Sequence, residues 1–171
     1  IASGSAINTT LNASGQIRVS SGGIASGSII NSGGTQSIYS GGRASSATIN
    51  SGGLELVYGG GSAINNVIGM NGSQVIAGVA SGTTVNSGGS QLVQMLGSAV
   101  STKVNSGGLM MVGGSSATSA TVSKGGMLMI DNGGVASSFN ISSGGIIGWG
   151  FNAKYSGTSN GFEINGNSGD I

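Results

Sequence analysis

The apolar positions of this chain do not follow a helical spacing, and they do not alternate for long; they recur in columns. Alignment on the tetrapeptide NSGG, found at 31–34, 50–53, 86–89 and 105–108, divides the sequence into units 12–30, 31–49, 50–68, 69–85, 86–104, 105–122 and 123–141. Residues 1–11 end an earlier unit and 142–149 begin a later one. With the Asn of NSGG as column one, the last column reads Leu11, Ile30, Ile49, Ile68, Val85, Val104, Val122 and Ile141. Column eight reads Val19, Ile38, Val57, Ile76, Val93, Val112, Ile130 and Trp149. Column fourteen is alanine throughout: Ala6, Ala25, Ala44, Ala63, Ala80, Ala99, Ala117 and Ala136. Self-similarity at a fixed period of this length is the signature of a solenoid, and the three columns are its interior stripes.

β-Branched Val and Ile favour extended backbone, while the Gly pairs at columns three to four and eleven to twelve permit the positive φ of sharp corners. A helical solenoid needs a 3.6-residue apolar period, which the sequence lacks. The predicted fold is therefore all-β, a single-stranded right-handed parallel β-helix of about 19 residues per coil over residues 1–149. Right-handed winding follows from the preference of parallel crossovers. A left-handed prism of similar coil length stays open, because the columns do not encode the hand. Coils about 4.8 Å apart give a narrow rod roughly 40 Å long. No coil is stable alone: its few buried side chains do not offset the entropy of ordering it, so each needs its neighbours. The stretch "GWGFNAKYSGTSNGFEINGNSGDI" loses the register and gathers Trp149, Phe151, Tyr155 and Phe162, so residues 150–171 are expected to form an irregular end or an aromatic cap.

Polar columns complete the coil. Asn12, Asn31, Asn50, Asn86 and Asn105 in column one would stack their amides at one corner. Column six carries Gln36, Glu55, Gln74 and Gln91 in successive coils, two residues from column eight and so on the same strand face. These groups are expected to be partly buried and paired along the stack, with a binding groove as the alternative. Late in the chain columns five to seven become oily, with Leu109, Met110, Met111, Met127, Leu128 and Met129, which reads either as an apolar docking patch or as an enlarged core.

Composition narrows the chemistry. Five Lys plus Arg against four Asp plus Glu leave a net charge of +1, with 5% charged residues, so there is no basic face for nucleic acid or an anionic membrane. Cys and His are absent, removing thiolate nucleophiles, imidazole acid–base groups and the usual zinc ligands; no cofactor or metal is expected. Glycoside hydrolysis needs two acids about 5–10 Å apart, yet Glu55 and Asp131 fall in the third and seventh full coils, about 19 Å apart by stacking. Glu163 and Asp170 belong to the tail and read as solvated. Asp does not recur at the glycine turns as calcium-binding β-rolls require, and no glycine run continues into a phosphate loop. Column eighteen, Thr10, Ile29, Thr48, Val67, Thr84, Lys103, Thr121 and Asn140, is too interrupted for an ice-binding array. No run of about 20 apolar residues exists, and a chain that starts at Ile1 in mid-repeat is expected to be a piece of a longer, processed protein.

The units "NSGGTQSIYSGGRASSATI" and "NSGGSQLVQMLGSAVSTKV" resemble the repeats of AIDA-type self-associating autotransporter passengers of Gram-negative bacteria. The resemblance covers residues 1 to about 149, with "GMNG" replacing the turn at 69–72. It implies a β-helix on the cell surface, tied to the outer membrane through a C-terminal barrel not contained in this sequence. It further implies adhesion to host cells, aggregation with copies on neighbouring cells, biofilm formation, and O-linked heptose added by a cytoplasmic heptosyltransferase before export. The acceptor candidates are the turn serines Ser32, Ser51, Ser87 and Ser106, and Ser26, Ser45, Ser81 and Ser137 after the alanine column. A non-enzymatic adhesin is thus the expected function; the alternative is the scaffold portion of a carbohydrate-processing β-helix whose catalytic coils lie elsewhere.

Overall fold

The chain winds as a parallel β-solenoid of about 19 residues per turn and about eight turns. A computed structural model describes residues 1–159 and 162–167, the last stretch as backbone only. Each coil carries three strands. In the third full coil these are Leu54–Val57, Ser62–Ile64 and Val67–Ile68. The first strands of successive coils form an eight-stranded sheet, and the other two kinds form the second sheet. Pairing is in register with the columns: Ala63 lies beside Ala44 and Ala80, and Ile68 beside Ile49 and Val85.

The interior is what the columns predict. Column eight from Val19 to Ile130, the last column from Leu11 to Ile141 and the alanines from Ala25 to Ala136 are buried. Alternation within each strand does this: Leu54–Val57 points Glu55 and Val57 inward and leaves Leu54 and Leu56 half-buried outside. The shorter units keep this register because the deletion falls at the second corner. Ile76 pairs with Val57 and Val79 already pairs with Ser62, so residues 77–78 replace the four of the longer corner. Spacing between repeats can change there without moving a strand.

The two glycines of NSGG do different work, which corrects the expectation that both supply positive φ. Gly33 has φ +73° and turns the chain, and Gly34 N–H donates to Asn31 O at 2.8 Å to close the turn. Gly34 itself has no left-handed backbone; a Cβ there would stand 2.5 Å from Leu11 O of the preceding turn. The asparagines stack as expected: Asn31 Nδ2 donates to Asn12 Oδ1 at 2.9 Å, Asn50 to Asn31 at 2.8 Å and Asn105 to Asn86 at 2.8 Å.

The solenoid register also runs past residue 149. Lys154–Ser159 pairs parallel with Val135–Ile141, with Tyr155 opposite Ala136, and Phe162–Asn167 then folds back antiparallel along its free edge. Within the end expected to be irregular, Lys154–Ser159 and Phe162–Asn167 are strand, and Phe162–Asn167 lies along the last parallel edge. Trp149, in an otherwise interior column, is 51% exposed and stacks on Tyr155 at 5.0 Å; Phe151 is exposed. The side chains of Phe162 and Glu163, and the whole of Asp170, lie outside the described residues.

Candidate functional site

The outer corners carry the hydroxyl groups singled out by the sequence, and the fold separates them into two kinds. Ser32, Ser51, Ser87 and Ser106 stand at the second position of the NSGG turn, where the chain bulges furthest from the strands, and all four are exposed. A left-handed glycine of the next coil makes room for three of them: a Cβ on Gly52 would lie 2.8 Å from Ser32 Oγ, one on Gly107 2.6 Å from Ser87 Oγ and one on Gly125 2.8 Å from Ser106 Oγ, whereas the coil after Ser51 carries Asn71 in the glycine's place. The run is broken by Met70 in the fourth coil, 66% exposed, and by Lys124 in the seventh, after which the exposed Ser143 resumes it.

Ser26, Ser45, Ser81 and Ser137 sit instead on a strand, pointing outward between neighbours, and are half-buried. Three engage other hydroxyls: Ser45 Oγ donates to Ser26 Oγ at 3.3 Å, and Ser137 Oγ lies 3.4 Å from Thr118 Oγ1. The residue after this column makes the third corner, which the sequence reading passed over. Ser46, Ser101 and Ser119 hold φ of 54°, 55° and 58° there and are exposed. The available signal was small residues and Asn in place of a second strand residue.

Inside, column six is fully buried rather than partly so, and its groups form one network. Gln91 Nε2 donates to Gln74 Oε1 at 2.9 Å, and Gln74 Nε2 donates to Glu55 Oε2 at 2.6 Å. From the other side Gln36 Nε2 donates to Glu55 Oε1 at 2.8 Å. A second column, two residues before the last, completes it: Asn66 Nδ2 donates to Glu55 Oε2 at 2.6 Å and Thr102 Oγ1 to Gln91 Oε1 at 3.0 Å. Asn66 Oδ1 also accepts from the backbone N–H of Ala47 at 2.9 Å. Burial pushes the Glu55 carboxyl above its ordinary 4.5, against the lowering effect of hydrogen bonds from Gln74, Gln36 and Asn66. This is a structural ladder closed to solvent, not a binding groove. Asp131 is exposed, on the outside of the seventh coil. Among the described residues no three acidic side chains cluster as a metal site would require.

The late oily columns divide between the two readings. Met110 and Leu128 enlarge the core, at 0% exposure each, whereas Met111 and Met129 face outward beside Leu92. With Gln94 and Asp131 they line a groove of about 300 Å³. Tyr39 and Tyr58 stack at 4.7 Å on the same side, one coil apart.

Comparison with known proteins agrees with the columns. The family described as adhesin of bacterial autotransporter system, probable stalk, matches residues 1–53. A solved structure, described as a TibC-catalysed hyper-glycosylated TibA fragment, is 36% identical, with a TM-score of 0.66 over 85% of this chain and 68% of that one. The chain belongs to the AIDA-type autotransporter adhesin passengers. No curated protein matches it significantly. Repeats of this family thus place one exposed corner serine on most coils here, outside an interior that offers no solvent-facing chemistry.

Proposed function

We propose that this chain is part of the surface-exposed rod of a non-enzymatic autotransporter adhesin whose corner serines carry O-linked heptose. The observation that carries the reading is the column Ser32, Ser51, Ser87 and Ser106: exposed hydroxyls on the second, third, fifth and sixth coils, three of them seated over a glycine of the next coil. A sugar there extends into solvent and displaces no strand. The related TibA fragment is hyper-glycosylated by TibC, and its likeness over 85% of this chain supports a cytoplasmic heptosyltransferase as the partner before export. Sugar on Ser26, Ser45, Ser81 or Ser137 has less room, because these hydroxyls are half-buried and three of them are paired with neighbouring hydroxyls.

Adhesion to host-cell surfaces and aggregation with copies on neighbouring cells follow from the same design. Many weak, evenly spaced contacts along a rigid rod add to a strong one. With a net charge of +1, two rods meet little mutual repulsion. Among the described residues no helix is long and apolar enough to cross a membrane, and a C-terminal barrel outside this sequence would supply the outer-membrane anchor. Among the described residues Glu55 is sealed in the interior and Asp131 stands on the outside of another coil, so these two acids form no catalytic pair.

Co-expression with a heptosyltransferase of this kind, followed by intact-mass measurement, tests the modification. The expected result is a series of heptose increments that shortens when Ser32, Ser51, Ser87 and Ser106 are replaced by Ala. A mass equal to the bare polypeptide overturns it. Settling of cells that display the passenger, compared with cells that do not, tests aggregation separately.

A further inference from the structure

The interior network has a polarity that no adhesive role explains. Amides on both sides of Glu55 direct their N–H groups toward it, Gln36 from the preceding coil and Gln74 from the following one. The two orphans of the interior lie at the upstream end of the same network. Gln36 Oε1 and Ser28 Oγ are buried and have no hydrogen-bond partner. Gln36 pairs in register with Ile17, so the end of its amide away from Glu55 faces the first full coil, the coil that holds Ser28. A buried unpaired polar group costs about 1–3 kcal/mol, and two in one place call for a reason.

We propose that Glu55 is a proton-binding site, held in the folded solenoid as a neutral carboxylic acid that donates from Oε1 to the side-chain oxygen of Gln36. The Gln36 amide is then turned over, exchanging Oε1 and Nε2. Its oxygen accepts the Glu55 proton, and its N–H groups point back to the first coil. Oε2 of Glu55 remains the carbonyl oxygen and keeps both its donors, Gln74 Nε2 and Asn66 Nδ2 at 2.6 Å each. The Gln36 oxygen is then satisfied, and the proton is taken up from water as the coils close.

The surroundings favour this form. A buried carboxylate without a cation is strongly disfavoured, and the interior offers none. Strands Thr35–Ile38 and Ser73–Ile76 flank Glu55 with Gln36 and Gln74; Ser62–Ile64 and Val67–Ile68 cross the interior with Ala63 and Ile68. The titratable side chains next along the adjoining coils stand outside the interior: Arg43 and Tyr58 are exposed, and Tyr39 is half-buried and stacked on Tyr58. Burial raises the Glu55 pKa, in agreement.

The chain has two glutamates, Glu55 and Glu163, so ¹³C labelling of glutamate Cδ yields two carboxyl signals. At about pH 6, above the ordinary carboxylate range, one signal is expected at the protonated position and one at the ionised position. Glu55→Gln should remove the protonated signal. If that variant does not fold, Glu163→Gln assigns the pair by removing the ionised one. Two signals at the ionised position in the folded chain would overturn the proposal and leave Glu55 as a carboxylate held by three amide donors.

Discussion

A Cβ on Gly53 would stand 2.3 Å from the carbonyl oxygen of Ile30, whereas its neighbour Gly52 turns the chain at φ +70°. The pair therefore fails in different ways. At the position of Gly52 other coils hold Ser14 and Asn71, at φ 66° and 55°, so the chain itself uses non-glycine residues there. Gly52→Asn should cost under about 1 kcal/mol, while Gly53→Ala, which pushes two coils apart, should cost about 2–3 kcal/mol or more. Urea unfolding of the two variants checks this; equal losses would contradict it.

The alanine column sets the distance between the walls of the solenoid. Ala80 is fully buried, in register between Ala63 and Ala99. Ala80→Trp has no outward rotamer that avoids the neighbouring coils and should lower stability by about 3 kcal/mol or more. A thermal midpoint equal to that of the parent chain would show that the column is not a wall.

Gln74 joins two parts of the interior, donating to Glu55 and accepting from Gln91. Gln74→Ala removes these bonds and the longer one from Thr83 Oγ1 at 3.4 Å, and leaves a cavity between the third and fifth coils. The expected loss is about 2–4 kcal/mol, read by urea denaturation, with a smaller loss for Gln74→Glu at acid pH, where a protonated side chain can still donate to one neighbour.

The fold was legible because each interior position repeats without exchange: Ala63 has alanine above and below it, and Ile68 has Ile49 and Val85. The division of labour within Gly33 and Gly34 was not, because glycine looks the same whether it supplies a left-handed φ or merely leaves space. Asn66 and Thr102 were missed for a related reason. Their column also holds Ala47, Ala120 and Phe139, so no single residue type marks it, and its polar members matter only where column six is polar too. Exposure of the corner serines was readable from the turn, but the pairing of Ser26 with Ser45 depends on two coils meeting in register.

Met95 and Leu96 break the glycine rule of the second corner. They hold φ 54° and 66° and are 73% and 90% exposed; Leu96 stands where Gly41 and Gly60 turn other coils, and Met95 where they have Ser40 and Gly59. A bulky residue in left-handed backbone is strained, and Leu96 recovers almost nothing by burial. Leu96→Gly should raise stability by roughly 0.5–1 kcal/mol, the gain from relieved strain being partly offset by the greater freedom of the unfolded chain. A higher urea midpoint with an unchanged slope is the expected reading, and a fall of similar size would mean that Leu96 packs against something in the folded chain.

Acid should strengthen, not weaken, the coils around Glu55. Because burial raises its pKa in the folded state above the ordinary 4.5, the folded chain holds a proton that the unfolded chain releases as pH rises past that value. The contribution is therefore complete below about pH 4.5 and is lost progressively up to the folded pKa, by at most about 1.4 kcal/mol per pH unit for one proton. Glu55→Gln cannot titrate, so the stability of the parent chain minus that of the variant should fall as pH rises through this window and level off above it. Urea midpoints of the two proteins at matched pH provide the difference. A difference that grew with pH would require the opposite shift, a carboxylate stabilised by its three amide donors beyond the cost of burying it.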